Sequence, residues 1–227
     1  MNRPNQGRVT RRYNNEMDDF DWDLTSEDKR PLPAFLYLHF SKAITRYRDL
    51  LHRAKRRGPL DYMAWLTRNI LELRIWVEYC SQSQQHSEEF YQDAIRDLND
   101  LQKTVGGLDP EDVNTLHKAN KFIGNAKPAH KFKDVKVAAE EVGLMPLFRQ
   151  NNKILSKFVH PTAMFVLTLF QGAGADQIRK QFAENGMAVA KQAIEKLEAS
   201  LLGETYRKYQ QTMNAVIAAH PKHKRPF

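Results

Sequence analysis

The side chains best suited to chemistry fall on two segments of this 227-residue chain. Arg68 and Glu72 stand four residues apart in a run reading Tyr62 to Ser81. In a helix that spacing puts them one turn apart on the same side. Arg before Glu is the less favourable order for an isolated helix, and the pairing matters most if the two are buried. A buried guanidinium or carboxylate is costly alone and less costly when paired. Asn69 sits in the apolar stripe of the same run and also needs a partner. Two readings stand side by side here: a polar network that holds helix register, and the floor of a site.

The second segment runs from Leu147 to His160. Phe148, Leu155, Phe158 and Val159 form its apolar face, with Asn151 among them, and Arg149, Asn152, Lys153, Ser156 and His160 lie to the adjoining side. Lys153 and His160, seven residues apart, share a face about 10 Å apart along the axis. His160 precedes Pro161, and a residue before proline is pushed out of helical geometry. His160 therefore marks a helix end or kink, where a side chain can be aimed sideways. Histidine titrates near neutrality and is the commonest general acid or base. At a helix end it can equally serve as a cap or a buried hydrogen-bonding group.

Other chemistry is not written in the sequence. There is no Walker loop, GxGxxG, GxSxG or HExxH pattern. Cys80 is the single cysteine, which rules out an internal disulfide and a CxxC metal knuckle. Its place on the apolar stripe suits a small packed hydrophobe rather than a nucleophile. His220 and His223 lack visible partners for a metal. Neither a metal nor a cofactor is expected.

Charge is the other lead. The formal net charge is +8 and the isoelectric point about 9.5. Residues 1–30 hold six Lys/Arg against seven Asp/Glu, so they carry −1 and the remainder +9. A basic body suits a polyanionic partner, nucleic acid first, or is simply a solvated surface. The basic residues cluster three times: Arg53, Lys55, Arg56 and Arg57; then His117, Lys118, Lys121, Lys127, His130, Lys131, Lys133 and Lys136; then the tail His220 to Arg225. Phosphates would use such residues, of which Lys118, Lys121, Lys131 and Lys133 are the candidates in the second group. Cations near helix C-termini also complement the helix dipole. Aromatic residues interleave thinly, with only Phe122 and Phe132 among these groups.

The elements that must hold these groups are helices. Gly/Pro punctuation and 3.6-residue spacing predict helices over about 34–56, 62–81, 88–104, 110–122, 133–142, 146–160, from Pro161 to about 172, 176–202 and 204–219. Asp61 is expected to cap the second, and residues 123–131 to form a loop. No run alternates with period two, so the fold class is all-α, a multi-helix bundle. The second helix is apolar nearly all round, through Tyr62, Leu66, Asn69, Leu73, Val77 and Cys80 with Leu71 and Ile75 opposite, and belongs at the centre. Residues 1–30 read as a charged flexible arm, 31–219 as one helical domain and 220–227 as a basic tail. The acidic part of the arm, with Phe20 and Trp22, could cover a basic groove. The polar N-terminus is unlike a signal peptide. The longest apolar run, Ala163 to Phe170 with Thr168 inside it, is far shorter than the roughly 20 residues a membrane helix needs. A cytoplasmic protein with no membrane partner is expected.

Arg68-Asn69-Ile70-Leu71-Glu72, followed by aromatics, and Leu155-Ser156-Lys157-Phe158-Val159-His160-Pro161-Thr162 resemble the two signatures of an uncharacterised all-helical prokaryotic family loosely related to HEPN domains. The resemblance covers roughly residues 35–202. It implies a helical bundle, often dimeric, of a kind that includes ribonucleases of toxin–antitoxin and phage-defence systems. Their catalytic pattern is an Arg, four to six residues, then a His, set between two protomers. Here Lys153 stands with six residues between it and His160, and Arg149 is too far away. Lysine can hold a phosphate charge but lacks arginine's planar fork. The expectation is a HEPN-like protein that binds RNA, or another nucleic acid, with His160, Lys153, Arg68 and Glu72 at its site. An antitoxin or a second copy is its expected protein partner. The alternative is a non-catalytic interaction module with a structural polar centre. A DNA-binding regulator is a third reading, without a helix–turn–helix pair to support it.

Overall fold

The computed structural model describes residues 31–105, 133–160 and 172–219. Those residues form seven helices and no strand. They are α1 (Leu32–Ala54), α2 (Leu60–Cys80), α3 (Gln84–Val105), α4 (Val135–Glu141), α5 (Met145–Val159), α6 (Gly172–Ala199) and α7 (Leu201–Ala219). None is long and apolar enough to cross a membrane. The arm over 1–30, the helix expected over 110–122, the loop over 123–131, the segment 161–171 and the basic tail lie outside the described residues.

Several helices start where the chain offers a suitable end. Pro31 and Pro33 open α1, whose Leu36, Phe40, Ile44 and Leu51 recur at helical spacing and are buried. The expected cap of α2 is corrected. Pro59 occupies the N-cap, and Asp61 lies inside the first turn with no side-chain cap bond. A carboxylate there still complements the helix dipole. α3 begins earlier than predicted, because the Ser83 hydroxyl accepts from His86 N at 3.1 Å and starts the turn. Asp134 caps α4 by accepting from Lys136 N at 2.9 Å. Gly143 ends it with φ +72°, a left-handed conformation that suits glycine.

α2 packs on α1, α3, α4, α5 and α6, so it is the axis of the bundle. α7 closes over α1 and α6, with Tyr206 stacked on Tyr37 at 4.4 Å between ring centroids. At the crossing of α1, α2 and α6 the helices approach closely at Gly186. A Cβ there would fall 2.3 Å from Leu51 Cδ2 and 3.2 Å from Thr67 Oγ1. Thr67 is buried, and its hydroxyl donates to Met63 O at 2.9 Å, with Phe182 O at 3.2 Å as the alternative acceptor.

The orientation of α2 differs in part from the expected stripe. Leu66, Val77 and Cys80 are buried, together with Met63, Ile70, Leu71 and Ile75. Tyr62 is 37% exposed and Trp65 41%, and Asn69 and Leu73 are half-buried. A helix apolar on nearly every side carries little information about which side faces in, and the packing of its five neighbours decides it.

Candidate functional site

Arg68 and Glu72 project from the outer side of α2, one turn apart. Arg68 Nε donates to Glu72 Oε1 at 2.9 Å, and both side chains keep over a quarter of their surface in solvent. The pair is thus half-buried rather than sealed in the core. His160 follows the last turn of α5 in the extended conformation its proline neighbour demands, with φ −102° and ψ 148°. Its backbone N still donates to Ser156 O at 3.3 Å. That exit swings the exposed ring toward α2, where Arg68 Nη1 lies 3.5 Å from His160 Nε2. A guanidinium has donors only, so Nε2 is the acceptor, and the contact is a hydrogen bond only for a neutral ring protonated at Nδ1.

Asn69 stays out of this cluster. Its amide donates to Trp65 O on its own helix at 2.7 Å, which supplies the partner it needs. Lys153 is exposed on α5, and no hydrogen bond or ion pair among the described residues joins its side chain to Arg68, Glu72 or His160. About 10 Å of helix axis separates it from His160.

The same outward side of α2 carries Tyr62 and Trp65, with near-parallel rings 6.1 Å apart. Tyr47 from α1 meets the Trp65 ring edge-on at 5.6 Å. Sequence reasoning missed this trio, because Tyr62 looked like core and the three rings come from two helices.

Arg53, Lys55, Arg56 and Arg57 are all exposed around the end of α1 and make no ion pair among the described residues. Beside them a cleft of about 430 Å³ is lined by His52, Lys55, Arg56 and Lys180, with Ala183 and Met187 as its apolar part. Glu184, the carboxylate at this cleft, lies 3.9 Å from Lys180 Nζ. Lys180 comes from α6, far away in sequence, and was not anticipated.

Lys133 is corrected. Its ammonium is held by Glu141 at 3.1 Å and Glu89 at 3.3 Å and reaches the buried Tyr79 hydroxyl, so it is no open phosphate ligand. Tyr79 in turn donates to Glu89. Burial opposes the charge on Lys133, but its bonds to Tyr79, Glu141 and Glu89 outweigh that and raise its pKa. Burial, then the Glu89 contact, pushes the Tyr79 hydroxyl upward. Lys118, Lys121 and Lys131 lie outside the described residues. A second network joins α2 to α6, where Glu78 accepts from Arg74 and, at 3.0 Å, from Lys196. Burial would raise the Glu78 carboxyl, yet the bonds from Arg74 and Lys196 hold it below the usual carboxylate range. Cys80 is buried and its thiol is pushed well up by burial, as suits a packed side chain.

No group of three or more metal-ligating side chains occurs among the described residues. The class of protein defined by these helices is an all-α bundle with an arginine–histidine contact on its outer face. Compared with known proteins, the chain matches no family model, no curated protein and no solved structure.

Proposed function

We propose that this chain is a HEPN-like helical protein that binds RNA or another nucleic acid, RNA being favoured, with Arg68, Glu72 and His160 as its candidate site. The observation that carries the reading is the 3.5 Å approach of Arg68 Nη1 to His160 Nε2, on a side of α2 open to solvent. Two residues 92 positions apart meet where a phosphate could reach both. Glu72 holds the guanidinium in one orientation, which leaves less freedom to be lost when a phosphate binds. The basic body supplies sequence-independent attraction for a polyanion, and the free cations around the end of α1 suit phosphate contacts.

A ribonuclease-type toxin or defence role would use the cluster as follows. An arriving phosphate takes over the Arg68 donor and releases His160 Nε2. That nitrogen then accepts the proton of the neighbouring ribose 2′-hydroxyl. The 2′-oxygen bonds to phosphorus, the bond to the 5′-oxygen breaks, and water protonates the leaving oxygen. Arg68 stabilises the charge on the phosphate oxygens as it builds up. The products are a 2′,3′-cyclic phosphate and a 5′-hydroxyl. An antitoxin or a second copy of the chain belongs to the same proposal, as does a cytoplasmic location.

A second reading has its own support. The Arg68–Glu72 bond is complete without any ligand, and Lys153 stands where the resembling family has arginine. Both suit a non-catalytic interaction module. One experiment separates the readings. RNA binding that weakens steeply with salt, with cleavage products lost in His160→Ala at unchanged melting temperature, supports the nuclease. Salt-dependent binding without cleavage leaves a binding protein, and no binding at low salt rejects the reading.

A further inference from the structure

We infer that Tyr62 and Trp65 form a base-stacking platform, so that the substrate of this face is single-stranded RNA; the inference rests on the nucleic-acid reading above. Among the described residues these two are the large aromatics left substantially exposed, at 37% and 41%. A tryptophan face in water is unfavourable, and the chain has placed it outward on its central helix. The ring is also packed against its neighbours. Tyr47 abuts it edge-on at 5.6 Å, and the Tyr62 ring lies near-parallel to it at 6.1 Å. A half-open ring already packed on its neighbours loses less freedom on stacking with a planar ligand than an unsupported ring would.

Charge chooses among planar or apolar ligands. Trp65 precedes Arg68 by three residues on the same side of α2, so the platform adjoins the Arg68–His160 contact. The Glu72 carboxylate nearby is already bonded to Arg68. A base on Trp65 therefore puts its phosphate within reach of a guanidinium. Alternation of stacked base and bound phosphate is how single strands are held without sequence preference. A duplex cannot use the platform, because its bases are stacked on one another.

The test compares a fluorescein-labelled oligouridylate with a blunt RNA duplex of equal length, on the full-length protein at low salt. Trp65→Ala is expected to weaken the single strand about five- to 150-fold, the range that loss of one base–aromatic stack implies. Trp65→Phe, which keeps a ring, is expected to retain most of the affinity and an unchanged melting temperature. Duplex affinity is expected to be the same in all three proteins. Tyr62→Ala is expected to weaken the single strand by a smaller factor. Equal affinity of wild type and Trp65→Ala for the oligouridylate overturns the platform while leaving nucleic-acid binding intact. Absence of binding in the wild type overturns both. If Trp65→Ala instead turns a dimer into a monomer and leaves RNA affinity unchanged, a second copy covers this face and the inference fails.

Discussion

Solvent decides what the Arg68–Glu72 pair contributes. A sealed ion pair that loses one partner costs about 3–5 kcal/mol, because the remaining charge is stranded. Here the two side chains are 28% and 29% exposed, and water can solvate either one alone. Glu72→Ala should therefore cost about 1 kcal/mol or less in stability, read by denaturant unfolding. Its effect on RNA affinity or cleavage should be the larger one, since Arg68 then loses its fixed orientation. A loss of several kcal/mol would instead mark the pair as structural. Lys133 should differ from Glu72 in its effect on binding rather than on stability. Its removal leaves the carboxylates of Glu89 and Glu141 facing each other near Tyr79 without their shared cation. Those two side chains are 38% and 39% exposed, so water can solvate them too, and Lys133→Ala should cost about 1 kcal/mol or less while leaving nucleic-acid affinity unchanged in a binding titration.

The joints between helices carry their own predictions. Gly186 lets α6 lie against α1 and α2, and a methyl group there meets Leu51, which is fully buried and has little room to turn. Gly186→Ala should cost about 1–3 kcal/mol, a fall of several degrees in melting temperature for a chain of this size. On the other side of that joint, Glu78 links Arg74 of α2 to Lys196 of α6. Its carboxyl lies below the ordinary value of 4.5 in the folded protein. Between those two values the unfolded chain binds more protons than the folded one. The stability Glu78 contributes should therefore be fully present above 4.5 and be lost as the pH falls through this window to the folded-state value. Glu78→Gln should flatten that acid limb in pH-dependent unfolding, and an equally steep limb would show that other carboxylates carry it.

For the molecule as a whole the deciding quantity is where its charge sits. Residues 31–227 carry +9, and around the end of α1 four cations stand exposed, of which Lys55 and Arg56 line a cleft with Lys180. Reversing Arg53, Lys55, Arg56 and Arg57 should weaken nucleic-acid binding and lower its dependence on salt, as contacts to phosphate are removed. An unchanged salt slope would leave this end of the bundle as a solubility feature. Removing residues 1–30, whose net charge is −1, should strengthen binding if their acidic stretch masks a basic surface, and unchanged affinity would reject masking.

The helices were legible because helix formation is local. Spacing of apolar residues, Pro31 and Pro33, Gly143 and the Pro161 that extends His160 act within a few residues, and they mark the described helices to within a few positions. The missed starts, at Gln84 and Gly172, show that local signals locate an element better than its ends. His160 was legible as a helix-end residue for the same local reason, and Arg68 and Glu72 as a pair one turn apart. What these groups face is not local. The outward turn of Tyr62 and Trp65, the capture of Lys133 by Glu89 and Glu141, and the sharing of one cleft by Lys180 and Arg56 each depend on residues from different helices. A helix apolar on nearly every side can bury any of them at similar gain, so only the packing of α1, α3, α4, α5 and α6 around α2 selected which side remained in water, and with it the surface on which Arg68 and His160 meet.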